Sequence, residues 1–139
     1  MSAKSNQDIA NAFLAKLGSE ASPDEIAALF TENLAWNIPG DVGALPWLGR
    51  KIGRSAVADF VRDTRTMIER MSLAIHDVLA SEARAVILGE LKSRVNHTGK
   101  LIETPFAIAL TFIDGKIASY VMLEDSFTVS QAARAQTSS

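Results

Sequence analysis

The sequence predicts an α+β fold, with helices in the first half packed against an antiparallel sheet built from the second. Three observations carry this. Apolar residues recur at helical spacing as far as about Met71 and at strand spacing afterwards. Asp114-Gly115 stands between two strand-like runs, the strongest short signal for a hairpin. Helices first and strands afterwards describe segregated layers rather than a parallel α/β sheet. The 139 residues suit a single domain over residues 1–139, with a core at about 7–129 and a polar tail from 130.

The helices come first. Ser5 with Asp8 three residues later marks a start; Ile9, Ala12, Phe13 and Leu17 form the apolar stripe, and Gly18 stops it. Ser22 is placed as an N-cap, Pro23 at the first helical position and Glu25 as the capping-box partner. Ile26, Leu29 and Phe30 continue that helix. A third helix starts near Ser55, its buried face marked by Val57, Phe60, Val61, Thr64, Ile68 and Met71. Between the second and third, Leu34 to Ile38 reads as a short strand ended by Pro39-Gly40. A loop containing Gly43, Pro46, Trp47 and Gly49 follows.

The strands of the second half are Leu73 to Leu79, Ala85 to Val95, Ile102 to Ile113 and Ile117 to Val129. Asn96 to Lys100 forms a turn, and the chain beyond Ser130 is expected to fray. Phe106 to Phe112 is apolar on both faces. An antiparallel strand with one wet face should alternate, so a second subunit is the expected cover for the outer face.

Composition excludes several function classes. Fourteen basic against sixteen acidic residues give a net charge of −2, which offers nothing to nucleic acid or an anionic membrane. Without cysteine there is no disulfide, thiolate nucleophile or cysteine zinc site, and a cytoplasmic location is expected. No apolar run approaches the roughly 20 residues of a membrane span, and Met1 to Asp8 lacks the apolar segment of a signal peptide. His76 and His97 stand far apart with no carboxylate at a recurring spacing, so no metal and no cofactor is expected.

Several motifs, in order, carry a resemblance. They are Phe30-Thr31-Glu32-Asn33 before Trp36-Asn37-Ile38-Pro39-Gly40, then Gly49 to Val57, His76-Asp77-Val78-Leu79-Ala80, Thr98-Gly99-Lys100, Phe112 to Ile117 and Leu123-Glu124-Asp125. Their spacing resembles the SnoaL-like group of the nuclear transport factor 2-like superfamily. The resemblance implies a cone: a curved, mostly antiparallel sheet wrapped around three N-terminal-half helices and enclosing a cavity. It also implies homodimers through the outer sheet face. Relatives include ketosteroid isomerase, limonene epoxide hydrolase and polyketide cyclases.

The resemblance does not bring a complete catalytic set. Of the epoxide hydrolase groups, the water-holding Asn falls on Asn37, but the Tyr falls on Ala35, the Arg and first Asp on Gly89 and Leu91, and the second Asp on Met122. The ketosteroid isomerase base falls on Ile38 or Asn37 and its oxyanion Asp near Ile108 or Ala109. A general base must be titratable, so neither chemistry is expected here. Asn37, Glu124 and Asp125 remain as catalytic candidates, Asp125 also being suited to accept hydrogen bonds from a loop or an Arg. Glu90 shares a strand face with Lys92 and Arg94, the face expected to be outside. Arg50 and Arg54 could meet an anion at the third helix.

The expectation is therefore a pocket for a small hydrophobic molecule, lined by Trp36, Trp47, Phe60, Leu91, Phe106 and Met122, with Asn37 as polar anchor. If catalytic, it would move a proton on, or cyclise, a carbonyl compound. The alternative is a non-catalytic homodimerising domain whose cavity is filled by its own side chains. A protein-binding adaptor is a third reading. Cavity volume separates the first two, since ligand pockets measure a few hundred Å³. A buried Glu124 or Glu90 would favour an enzyme.

Overall fold

The computed structural model describes residues 2–134. The first helix, α1, spans Ala3–Leu17, three residues nearer the N-terminus than Ser5 suggested, because Ser2 and Ser5 cap each other's backbone reciprocally. Gly18 ends it. Helix α2, Pro23–Ala27, keeps the predicted N-cap and opening proline, with the Ser22 side chain accepting from Glu25 N at 3.1 Å; the Glu25 carboxylate, expected to complete a capping box, instead pairs with Lys16 at 2.8 Å. It is short, and Phe30 already belongs to strand β1, Phe30–Ile38. The expected loop after β1 contains a second short strand, β2, Gly49–Ile52, antiparallel to β1.

Helix α3 is Arg54–Met67, and strand β3 begins at once, Ile68–Ala80. This corrects the helix drawn to Met71. The stop comes from elsewhere in the chain: Asn96 donates from its backbone N to Met67 O at 2.9 Å and from its side chain to Thr66 O at 2.8 Å. Ile68 then pairs with Val95. Strands β4, Arg84–Val95, and β5, Leu101–Ile113, follow the predicted runs. The hairpin to β6, Lys116–Glu124, turns through Asp114 and Gly115, both with positive φ. That pair of dihedrals is what a two-residue primed turn requires.

The last expected strand was drawn too long. It ends at Glu124, and helix α4 occupies Ser126–Ala133. Nor does the chain fray at Ser130. Ala132 and Ala133 are buried, and the turn after β4 holds the helix end. His97 Nε2 meets Ala133 O at 2.6 Å, Thr98 Oγ1 donates to Ala132 O at 2.6 Å, and Lys100 Nζ to Arg134 O at 2.7 Å. A cation at the C-terminal carbonyls also complements the helix dipole. Residues 135–139 of the predicted tail lie outside the described residues.

The six strands form one curved, open sheet in the order β2-β1-β6-β5-β4-β3, antiparallel except for the parallel β1–β6 pair. Its inner face carries Trp36, Ile38, Ile87, Ile108, Leu110 and Tyr120, all buried. Phe13 of α1, Ile26 of α2 and Val57 and Val61 of α3 pack onto it. Each fully buried large side chain contributes about 1.5–3 kcal/mol.

Candidate functional site

The inner ends of β3, β4, β5 and β6, with α3, α4 and the β1–β2 loop, enclose a cavity of about 70 Å³. Strand alternation decides which side chains reach it. On β4, Leu91 and Ser93 point inward, as do Ile68 and Arg70 on β3. Met122 and Glu124 come from β6, Phe60 and Thr64 from α3, and Val129 from α4. Leu45 and Trp47 close the side formed by the loop.

The aromatic residues are organised by one hydrogen bond. Trp36 Nε1 donates to Trp47 O at 3.1 Å, within the core. The Trp36 ring stacks on Tyr120, with centroids 4.4 Å apart, and leans on Phe60 at 5.0 Å. Phe60 in turn meets Trp47 edge-on at 5.9 Å. Trp36 therefore stands behind the wall and fixes the loop, while Trp47 and Phe60 face the space. A buried Trp N–H needs a partner, and the loop carbonyl supplies it.

Glu124 is the acidic group on this wall. It is half-buried, and desolvation pushes its pKa up from 4.5 to about 7. Tyr120, one step along the same strand face beyond Met122, is wholly buried. Its hydroxyl lies 3.9 Å from the Met122 sulfur. Burial first, and the Glu124 charge second, push the phenol pKa upward, so Tyr120 stays protonated.

Five of the expected site residues line the cavity: Trp47, Phe60, Leu91, Met122 and Glu124. Four do not. Asn37 pairs with Arg50 and Val121 and follows Trp36 on β1, so it faces the opposite side of the sheet. It cannot be the polar anchor. Asp125 caps α4, accepting from Thr128 N at 3.1 Å and Thr128 Oγ1 at 2.9 Å. Those bonds hold its carboxyl below the usual range and make it structural. Trp36 is core. Phe106 lies over Gly89, where a β-carbon would come within 2.8 Å of its ring and would collide with Ala74 O. Position 89 therefore has room for glycine alone, and the ring occupies the space a functional side chain would need.

Other charged candidates are placed at the surface. Glu90 is exposed, 3.9 Å from His76. Arg54 donates to Phe30 O at 2.8 Å and lies 3.9 Å from Glu32. Among the described residues no group of three or more His, Asp or Glu side chains stands together. Arg70 was missed, because a helix carried to Met71 assigns it no wall. Its inward position is set by pairing with the buried Ser93.

The loop and α4 are joined across the cavity. Arg134 Nε donates to Asp41 Oδ2 at 2.6 Å and Nη2 to Oδ1 at 3.1 Å; Ser130 Oγ adds a bond at 2.7 Å. Arg134 and Ser130 together lower the Asp41 pKa to about 2.

This architecture has many solved relatives. An NTF2-like protein from Burkholderia xenovorans superposes with a TM-score of 0.83 at 24% identity, covering 96% of this chain and 99% of its own. A protein with a ketosteroid isomerase-like fold from Catenulispora acidiphila superposes at 0.73 and 16% identity, covering 92% and 93%. An LEH-like epoxide hydrolase from M. tuberculosis superposes at 0.69 and 17%, covering 94% and 90%. Such likenesses show the fold alone. Among curated proteins none matches the sequence significantly. The SnoaL-like domain matches residues 10–120, from α1 to the middle of β6. The chain belongs to the SnoaL-like domain family.

Proposed function

We propose that this protein binds a small, largely apolar carbonyl compound at the cavity and that Glu124 exchanges a proton with it. The observation that carries this reading is the Glu124 carboxyl, half-buried beside Met122 and raised to about 7. A carboxyl with that pKa is half protonated near neutrality, which suits it to both halves of a proton transfer. Trp47 and Phe60, edge to face with each other, supply apolar wall to the same cavity. The isomerase-like and hydrolase-like names of some structural neighbours are compatible with ligand chemistry in such a cavity, though the epoxide hydrolase charges fall here on Gly89, Leu91 and Met122 and the ketosteroid isomerase groups on Ile38 or Asn37 and near Ile108 or Ala109.

The test is deuterium exchange at the carbon next to the carbonyl of small cyclic and open-chain ketones, followed by proton NMR. The protein should accelerate exchange of at least one ketone, and Glu124→Gln should lower that rate by about 10²–10⁴-fold. Equal exchange with both proteins would remove Glu124 from the reaction.

One observation favours the second reading, a non-catalytic domain. The cavity of about 70 Å³ is well below the few hundred Å³ of an ordinary ligand pocket. Failure of every ketone to bind would support that reading. In both cases we infer a homodimer through the outer sheet face. That face carries Ala107, Ala109 and Val121 beside Leu123, which is 54% exposed. No helix of the described residues is long and apolar enough to cross a membrane. The cytoplasm is the compartment proposed, which a chain without cysteine allows.

A further inference from the structure

The small volume of the cavity has a structural counterpart beside it. A surface cleft of about 270 Å³ runs between the end of α1, α3 and the start of β3. Thr64, Ile68 and Arg70 line both the cavity and the cleft. A molecule spanning these shared residues would have its inner part near Met122 and Glu124 and its outer part among Ser19, Arg65 and Arg70.

The outer part is cationic and uncompensated. Arg54, Arg62, Arg94 and Arg134 each form an ion pair; Arg65 and Arg70, like Arg50 and Arg84, form none with a described residue, and of those four only Arg65 and Arg70 line the cleft. Arg65 donates to Ser19 O at 3.0 Å, a bond that holds its guanidinium at the cleft. Glu69, next to Arg70 in sequence, pairs with Arg94 at 3.7 Å on the other face of β3. Partial burial and the neighbouring Arg65 charge both disfavour the Arg70 cation. A guanidinium in that position gains most from a planar or tetrahedral oxyanion, which it can grip with two parallel N–H bonds.

We infer that Arg65 and Arg70 receive the anionic head, carboxylate or phosphate, of a small amphipathic molecule whose apolar body occupies the Glu124 cavity. This rests on the reading of the cavity as a ligand site and adds the substrate class. It also accounts for how a ligand larger than the inner cavity is accommodated, because the head stays in the cleft. A Glu124 that is protonated for part of the time admits such an anion with less repulsion than a fixed carboxylate would.

The test is calorimetric titration of the full chain with hexanoate, hexyl phosphate and hexan-1-ol, which share an apolar body and differ in the head. At least one anion should bind about tenfold or more tighter than the alcohol, and the advantage should shrink with added salt. Arg70→Gln should bring that anion down to the level of the alcohol, Arg70→Lys should retain part of the advantage, and alcohol binding should be the same in all variants. Arg65→Gln should reduce anion binding in the same direction and serves if Arg70→Gln fails to fold. The preferred head identifies the source, a carboxylic acid or a phosphate ester. If the alcohol binds as tightly as both anions, or if neither arginine variant weakens them, the arginine role is overturned and the cavity reading survives. If none of the three binds, the arginine role is overturned, and the cavity reading stands or falls with the ketone experiment.

Discussion

Glu124 and Gly89 show how single residues set the character of the site. Burial raises the Glu124 pKa from 4.5 to about 7, so the folded chain holds this proton more tightly than the unfolded chain does. The sign follows: between those values the native state binds more protons, and stability falls as pH rises through that window. The full effect corresponds to about 3 kcal/mol, and solvent reaching the half-buried group reduces it to about 1–2 kcal/mol. Glu124→Gln should therefore be more stable than the parent by that amount at pH 8 and indistinguishable from it at pH 4, as measured by urea unfolding at both pH values. At Gly89 the constraint is steric. Alanine there would drive a methyl into Ala74 O and the Phe106 ring, and the backbone neighbour cannot move aside cheaply. Gly89→Ala should lose about 1–3 kcal/mol in the same assay. Neither effect is readable from the sequence. Glu124 is one carboxylate at the end of an apolar run, and Gly89 shows its need only when β3 and Phe106 are in place.

At the scale of elements, the sequence is most legible where signals are local. Ser22-Pro23, Gly18, Asp114-Gly115 and the alternation along β4 all act within a few residues, and the structure keeps each of them. The misplaced boundaries are those decided at a distance. Nothing between Arg65 and Ser72 breaks a helix; Asn96, about thirty positions away, ends α3 and thereby turns Arg70 inward. Helix α4 did carry a local signal, Asp125 as N-cap three residues before Thr128, but the apolar residues to Val129 fit strand periodicity too. Besides the turn after β4, the Asp41 bonds to Ser130 and Arg134 tie it to the β1–β2 loop. The lowered Asp41 pKa keeps that latch closed above the usual carboxylate range and releases it as pH falls towards 2. Asp41→Asn should speed amide hydrogen exchange across Ser126–Ala133 while leaving β4 and β5 protected. Unchanged exchange in α4 would show that the turn after β4 suffices to hold it.

For the whole molecule, the fold was more legible than the site. An α+β order, a hairpin meander and family motifs spread along the chain converge on one curved sheet, because the hydrophobic pattern is distributed over many residues and tolerates local errors. A site depends on a few side chains, and a shift by one strand position moves a residue to the other face. Asn37 is the case in point: its neighbours Trp36 and Ile38 point inward, so it cannot. The outer face exposes the apolar groups that the two-sided strand Phe106–Phe112 anticipates, with Leu123 at 54% and Leu79 at 57% exposure. Light scattering of the purified chain should report twice the mass of a single chain. Leu123→Glu, by placing a charge on that face, should yield folded monomer, whereas a monomeric parent would contradict the dimer.

The central claim is that an apolar cavity holds a carboxyl poised near neutrality. It is tested most directly by a carbon-13 NMR titration of the glutamate side-chain carboxyls, with Glu124→Gln identifying the resonance. One glutamate carboxyl should titrate with a midpoint near 7 and be absent from the variant. A Glu124 midpoint at the ordinary value of 4.5 would contradict it.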